Sequence, residues 1–382
     1  MTDLKRCHSI EDLRQAAQRY LPRLVWDYIE GGVEDETCLA RNRQAWDAVT
    51  LVPRYLVDVS GVSLRRTLWG QEYALPVGIA PTGLAGFARH GADLMLAQAA
   101  QQAQVPFVLS GAGTASTEAV MRVAPQSTWF QLYVSRDPRV TESLLRRAVE
   151  VGVKNLVFTV DVPIHSNRER DARNGFVPPV KPTLSAIADA LCHPVWLARF
   201  VRHGLPRFEN WAPYAPTGAS AKQIADLFTS QIPFTQTWQD LARIRELWPG
   251  RLIVKGILHE GDARLAAEAG VDGIWVSNHG GRVLDSAPSA LAQLPLIRQA
   301  VGPDIKLMVD GGVRRGSDIV KALSRGADFV FAGRPMMYGV AAAGQAGVER
   351  ALAILAHELS LTVAQLGGWE TTMPPERTPS SR

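Results

Sequence analysis

Eight short apolar runs, most of them followed by a helical pattern, constrain this chain more than any other feature of its sequence. They are Leu75–Ala80, Pro106–Leu109, Trp129–Val134, Asn155–Val160, Leu252–Lys255, Gly273–Val276, Lys306–Val309 and Phe329–Phe331. Runs this short, rich in Val, Ile, Leu and Phe, suit strands buried on both faces of a parallel sheet. The segments between them include Asp93–Ala103, Pro138–Val151, Asp262–Ala269 and Ser317–Ser324, which carry helical patterns. Eight successive β-then-α units fit an α/β fold of the (β/α)8 TIM-barrel type better than an open doubly wound sheet.

The rest of the chain arranges itself around that cycle. Its 382 residues, 46% apolar and 20% charged, suffice for one large core. We read them as a single domain over 1–382, with the barrel over 75–365. Residues 1–50 read as short N-terminal helices. Pro22 fits a first helical position, Leu24, Val25, Tyr28 and Ile29 line one face, and Gly31-Gly32 ends the turn. Residues 51–74 read as irregular. Between Asp161 and Leu252 a long insertion, centred on 175–240, replaces the usual helix after strand 4; in a barrel it lies on the active-site face. The tail Thr371–Arg382, rich in Pro, Ser and Arg, is expected to fray.

Barrel chemistry gathers where strands end. The ends here carry Thr82 and Gly83; Ser110; Gln131 and Tyr133; Thr159 and Asp161, with Arg168 shortly after; Lys255; Ser277, His279 and Arg282; Asp310 and Arg314; Gly333 and Arg334. Any one of these could simply cap a strand, but their density points to a site. The stretch from Ile274 to Arg282 is the sharpest. Its apolar run opens into Ser277-Asn278-His279-Gly280-Gly281-Arg282. His279 can exchange a proton near neutral pH. Arg282 offers a planar fork for a carboxylate. The two glycines let the backbone turn and approach a ligand. A hydrogen-bonded histidine in a polar loop would read the same in isolation. After the last two runs, Asp310-Gly311-Gly312-Val313-Arg314-Arg315-Gly316 and Gly333-Arg334-Pro335 combine glycine N–H groups, helix starts and arginines. That combination makes a phosphate cradle where barrels commonly bind phosphate.

Several function classes fall away. Gly111-Ala112-Gly113-Thr114-Ala115-Ser116 starts like a dinucleotide fingerprint but lacks its third glycine, and no G-x-x-x-x-G-K-[ST] occurs. Cys7, Cys38 and Cys192 share no spacing that suggests a disulfide framework or a zinc site. A formal charge of +4 gives no argument for nucleic acid. The first residues lack the apolar core of a secretory signal, and no apolar run reaches the roughly 18 residues of a bilayer span. Both point to the cytoplasmic side of the membrane.

In these motifs, together with Val25-Trp26-Asp27-Tyr28, Pro81-Thr82-Gly83, Phe130-Gln131-Leu132-Tyr133, Thr159-Val160-Asp161 and Val254-Lys255-Gly256, the chain resembles the FMN-dependent (S)-2-hydroxy-acid dehydrogenases and oxidases. Glycolate oxidase, L-lactate dehydrogenase and (S)-mandelate dehydrogenase belong to that family. The resemblance runs in order from residue 8 to 365. It implies FMN as cofactor and oxidation of a 2-hydroxy acid to the 2-keto acid. It further implies that His279 takes a proton from the substrate, from Cα or from the hydroxyl, with Asp161 orienting it. Arg282 would grip the substrate carboxylate, with Tyr28 and Arg168 in support, and Tyr133 would bond the substrate oxygen. Thr82, Gly83, Ser110, Gln131, Thr159 and Ser277 would meet the flavin, with Lys255 at the edge that gains negative charge on reduction. Asp310, Arg314, Gly333 and Arg334 would hold its ribityl phosphate.

Two departures from glycolate oxidase narrow the branch. Gly83 stands where that enzyme has alanine, and Ala112 where it has tryptophan. The first implies a dehydrogenase rather than a peroxide-forming oxidase; the second leaves room for a larger substrate, so the mandelate and lactate dehydrogenases fit best. In them electrons pass to a membrane quinone, and the family commonly forms homotetramers. The insertion agrees with a peripheral protein of the cytoplasmic membrane. From Pro194 to Gly204 it reads as an amphipathic helix, with Trp196, Leu197, Phe200 and Val201 on one side and Arg199, Arg202 and His203 opposite. Lys181, Arg199, Arg202 and Arg207 face one nearby acid, Asp189. Such a basic segment with tryptophan suits a lipid surface, through its Trp196 face.

Overall fold

Each of the eight apolar runs is a strand. The computed structural model describes residues 2–176, 183–232 and 236–369. A hairpin of β1 (Arg66–Leu68) and β2 (Gln71–Tyr73) precedes the barrel strands. These are β3 (Val77–Ile79), β4 (Phe107–Leu109), β5 (Thr128–Leu132), β6 (Asn155–Thr159), β7 (Arg251–Ile257), β8 (Gly273–Val276), β9 (Lys306–Val309) and β10 (Phe329–Ala332). They pair in parallel and in chain order, and β10 closes on β3 with Val330 opposite Val77 and Phe331 opposite Gly78. The closed (β/α)8 barrel expected from the alternation is the observed fold.

Period-two alternation sorts the strand side chains. Trp129, Val157, Ile253, Trp275 and Met308 join an inner cluster. Their neighbours Phe130, Leu156, Val254, Ile274 and Leu307 face the surrounding helices. Aromatic rings dominate the inside: Trp275 stacks on Phe331 at 4.0 Å between centroids. Facing helices show why they form. In Pro138–Glu150, Asp137 accepts from Arg139 N, proline opens the first turn, and Thr141, Leu144, Leu145 and Ala148 are buried at helical spacing.

The hairpin is a finding within a stretch expected to be irregular. Trp69 and Gly70, with φ of 50° and 79°, make a two-residue turn of the kind that suits a hairpin's twist. Leu68 and Tyr73 are buried in the inner cluster, and Tyr73 meets Phe329 edge-on at 5.4 Å. Since Phe329 begins β10, the hairpin plugs the end of the barrel opposite the strand C-termini. At the N-terminus, Pro22 caps the helix Arg23–Glu30 from outside rather than occupying its first turn, because its ψ of 152° is extended.

Between β6 and β7 run the helices Glu169–Asn174, Leu184–Leu191, Pro194–His203 and Ala221–Gln231 before Trp238–Leu247. The Pro194–His203 helix ends where its Gly204 indicated, but its aromatic face points the other way. Trp196 is 5% exposed, donates Nε1–H to Phe87 O at 2.8 Å and stacks on Phe200. Arg199 meets Tyr20 Oη at 3.0 Å. Of the four residues expected to face lipid, Val201 alone is exposed; it joins Leu184, Ile187, Leu191, Val195 and Leu205 on the outer surface. The reason is physical: an indole buries more area than any aliphatic side chain and needs a partner for its N–H, and the barrel supplies both. Among the described residues no single helix is long and apolar enough to cross a membrane; Leu184–Leu191 and Pro194–His203 are bent 106° to each other. Lys181 and the tail from Thr371 lie outside the described residues.

Candidate active site

At the C-terminal mouth of the barrel, charge is threaded from strand to strand. Asp161, just past β6, accepts from His279 Nδ1 at 2.8 Å. Its other oxygen lies 3.8 Å from Lys255 Nζ on β7. Lys255 donates to Ser277 Oγ at 3.1 Å, and Ser277 donates to Asp310 Oδ1 at 2.6 Å, past β9. Lys255 is 3% exposed, so these partners are what make its burial tolerable. Burial opposes ionisation of Asp161, but His279 and Lys255 outweigh it and hold the carboxyl below its ordinary range. Because Nδ1 of His279 is committed to Asp161, Nε2 is the atom that can take a proton.

A bend in β7 allows this approach. Gly256 has φ of 109°, and pairing with β8 shifts register between Lys255 and Ile257. A Cβ at 256 would sit 2.4 Å from Asp161 Cβ. Only glycine brings the lysine and the carboxylate together there.

The N-terminal helix Arg23–Glu30 roofs the mouth. Tyr28 donates its hydroxyl to Gly83 O at 3.2 Å, and its ring packs under Arg168 and Arg282, with guanidinium carbons 4.7 and 5.1 Å from its centroid. Arg282 donates to Ile29 O at 3.1 Å and to Tyr28 O, while Arg168 donates to Tyr28 O and pairs with Asp171 at 2.8 Å. Burial, then Arg168 and Arg334, pull the Arg282 guanidinium down to about 9, which leaves it charged at neutral pH. The Tyr133 phenol is pushed well above its ordinary value by burial, with the Asp161 charge adding and Arg282 opposing. It is a neutral donor at any working pH.

The cradle residues divide their work. Asp318 accepts from the backbone N–H groups of Arg314 and Arg315 at 2.8 and 3.0 Å and shapes the loop after β9. Among the described residues, the Arg314 side chain donates to Val313 O and Tyr338 Oη and to no carboxylate. Arg334 differs from expectation in its side chain. Its guanidinium donates to Ile29 O, Gly280 O and Gly31 O at 2.9–3.0 Å, tying the roof helix to the His279 loop. Its main-chain N–H lies in the first turn of Arg334–Ala343 beside Gly333, where helical N–H groups have no partner within the helix. Thr82 adjoins: a Cβ on Gly333 would lie 3.7 Å from Thr82 Cγ2.

Residues 17–372 match the model of the FMN-dependent dehydrogenases. The chain belongs to that family. This FMN-dependent dehydrogenase is 39% identical to (S)-mandelate dehydrogenase of Pseudomonas putida over 360 residues, 94% of this chain and 90% of that one. It is 40% identical to an L-lactate dehydrogenase of Xanthobacter autotrophicus, over 94% of this chain and 92% of the relative. A crystal structure of (S)-mandelate dehydrogenase, described as a monotopic membrane protein, superposes with a TM-score of 0.92 at 39% identity, covering 96% of this chain and 98% of that one.

FMN is therefore the cofactor, and the mouth fits it. Buried polar atoms without a hydrogen-bond partner can mark where a ligand belongs. Gln131 Nε2, Thr159 Oγ1 and Asp161 Oδ2 are such atoms, clustered on the ends of β5 and β6. Gln131 Oε1 is already engaged by Ser110 Oγ and Gly111 N, which aims its free amide donor. This set suits the alternating donors and acceptors of an isoalloxazine edge, and the Arg314 loop suits the phosphate.

Two contributors went unread in the sequence. Trp211, 1% exposed in the middle of the insertion, donates to Gly111 O at 3.0 Å, and Asn210 accepts from Thr117 N and Oγ1 at 2.9 Å. Both anchor the loop after β4. A tryptophan in an irregular, proline-bordered stretch carries no sequence signal for that role.

Proposed function

We propose that this enzyme oxidises an (S)-2-hydroxy acid of the mandelate or L-lactate kind to the 2-keto acid. The observation that carries the reading is His279, oriented by Asp161, beside two arginines that flank Tyr28. A base within reach of a carboxylate clamp is what proton removal beside a substrate carboxylate requires. The names of the relatives support the same substrate class.

In this reading, the remaining N–H groups of Arg282, with Arg168, hold the substrate carboxylate, and the Tyr28 hydroxyl turns from Gly83 O to donate to it. The Tyr133 phenol donates to the substrate oxygen. His279 Nε2 takes the proton, from Cα or from the hydroxyl, and Asp161 stabilises the imidazolium that forms. Bound FMN supplies the two-electron acceptor. Gln131, Thr159 and Ser110 would hold its ring, Lys255 its electron-rich edge, and Asp310, Arg314 and the Gly333–Arg334 backbone its ribityl phosphate.

We further infer a peripheral membrane protein on the cytoplasmic face that passes electrons to a quinone, as a homotetramer. The exposed apolar surface of Leu184, Ile187, Leu191, Val195 and Val201, on an insertion that borders the mouth, supports membrane docking. The test is anaerobic: (S)-mandelate or L-lactate should bleach the flavin, and a dye should reoxidise it much faster than oxygen does. Flavin that stays oxidised with every 2-hydroxy acid would refute the reading, and rapid peroxide formation would make the enzyme an oxidase.

A further inference from the structure

Asn42 lies on the helix Thr37–Asp47, outside the barrel, and is 1% exposed. Its amide pairs reciprocally with that of Asn278. Asn42 Nδ2 donates to Asn278 Oδ1 at 3.0 Å, and Asn278 Nδ2 donates to Asn42 Oδ1 at 2.7 Å. The rest of the Asn278 amide is also used: Nδ2 reaches Pro288 O at 3.0 Å and Cys38 Sγ at 3.2 Å, and Oδ1 accepts from Gly281 N at 3.2 Å.

Asn278 immediately precedes three residues in the left-handed region: His279, Gly280 and Gly281 have φ of 56°, 67° and 75°. No regular hydrogen-bond ladder holds such a run, and for histidine the conformation is intrinsically unfavourable. It persists because surrounding contacts over-determine it. Ser277 Oγ accepts from His279 N at 3.0 Å at one end, and at the other Gly281 N is shared between Asn278 O at 3.0 Å and Asn278 Oδ1 at 3.2 Å. Through Asn42, that second anchor is tied to a helix of its own.

The same helix grips the neighbouring loop. Trp46 Nε1 donates to Gly311 O at 2.8 Å and Arg43 Nη1 to Gly312 O at 2.6 Å. A Cβ at Gly311 would lie 3.2 Å from Asn278 Oδ1 and 3.6 Å from Asn42 Nδ2. The amide pair is thus wedged between the loop of the base and the loop assigned to the ribityl phosphate.

We propose that Asn42 is a positioning residue: it sets His279 through Asn278 and holds the two loops in mutual register. The proposal rests on His279 being the base. It is tested on the full-length, FMN-loaded enzyme with Asn42→Ala and with Asn42→Asp, which keeps the shape and the acceptor but cannot donate to Asn278. If Asn42→Ala fails to fold, Asn42→Asp decides. Both variants should lower kcat per bound flavin by about 10-fold or more, as misplacement of a reacting group does. KM should stay nearly unchanged, because Arg282 and Arg168 are anchored elsewhere, to Tyr28 and Ile29. The dissociation constant for FMN, read from flavin fluorescence, should rise. A lowered Tm with kcat per flavin and FMN affinity both unchanged would show a merely structural role and overturn the proposal. If the wild-type enzyme oxidises no 2-hydroxy acid, the functional reading fails instead, and the FMN affinities of the variants still decide for or against Asn42.

Discussion

Gly256 and Asp161 are packed so closely that the smallest side chain on the glycine would fall 2.4 Å from Asp161 Cβ. Gly256→Ala would therefore push the carboxylate away from His279, and would strain a backbone held at φ of 109°. We expect kcat to fall roughly 10²-fold, the cost of a misplacement near 1 Å. The flavin's visible spectrum, with FMN still bound, checks that the loss is one of geometry.

For His279→Gln we expect a yellow, folded protein that is nearly unreactive. The residues proposed to hold the phosphate lie on other strands, so the flavin is expected to stay. Loss of a general base costs about 10²–10⁴-fold. Rapid-mixing measurement of anaerobic flavin bleaching is the direct check; bleaching at the wild-type rate would remove His279 from its role.

Arg282→Lys keeps the charge but loses the fork that spans the carbonyls of Tyr28 and Ile29. KM should rise and kcat should fall together, since the substrate carboxylate is then held loosely. Steady-state kinetics that match wild type would pass the clamp to Arg168.

Asp161 sets an acid limit on stability. Its folded-state carboxyl titrates below the ordinary 3.8, because His279 and Lys255 outweigh burial. The stabilisation this represents is fully present above 3.8 and is lost as pH falls through the lower, folded value. Asp161→Asn lacks it. The gap in urea midpoint between wild type and that variant should therefore be constant near neutrality and close progressively below pH 3.8.

On the insertion, two neighbouring residues should behave oppositely. Val201→Asp, on the exposed face, should weaken binding to anionic vesicles and leave Tm nearly unchanged. Trp196→Ala, on the buried face, should destabilise by about 3–5 kcal/mol, as removal of a large core aromatic does. Sedimentation with vesicles and thermal melts read the two effects separately.

The barrel was legible because buried parallel strands are short, apolar and regularly spaced, and because the run from Ser277 to Arg282 concentrates chemistry at one strand end. Periodicity showed that Trp196 and Phe200 share a side of their helix, but a helical pattern does not say which side meets the protein. The β1–β2 hairpin escaped notice since its strands are three residues each and a tryptophan occupies its turn. Arg334 read as a phosphate ligand by type, whereas the carbonyls that hold its guanidinium are backbone atoms, which no residue letter announces. Asn42 is a lone amide in a helix, and only its distance to Asn278 distinguishes it.

Asp161 and His279 are 118 residues apart in the chain, and the seam that closes the barrel joins Val77 to Val330. A chain emerging from the ribosome therefore exposes its carboxylate long before the imidazole exists to receive it. Until β8 and β9 have docked, Lys255 lacks Ser277 and Asp310 as well. In the proposed reaction, proton removal by His279 therefore waits for the barrel to close, and an unfinished chain is not expected to reduce a flavin and then leak electrons to oxygen.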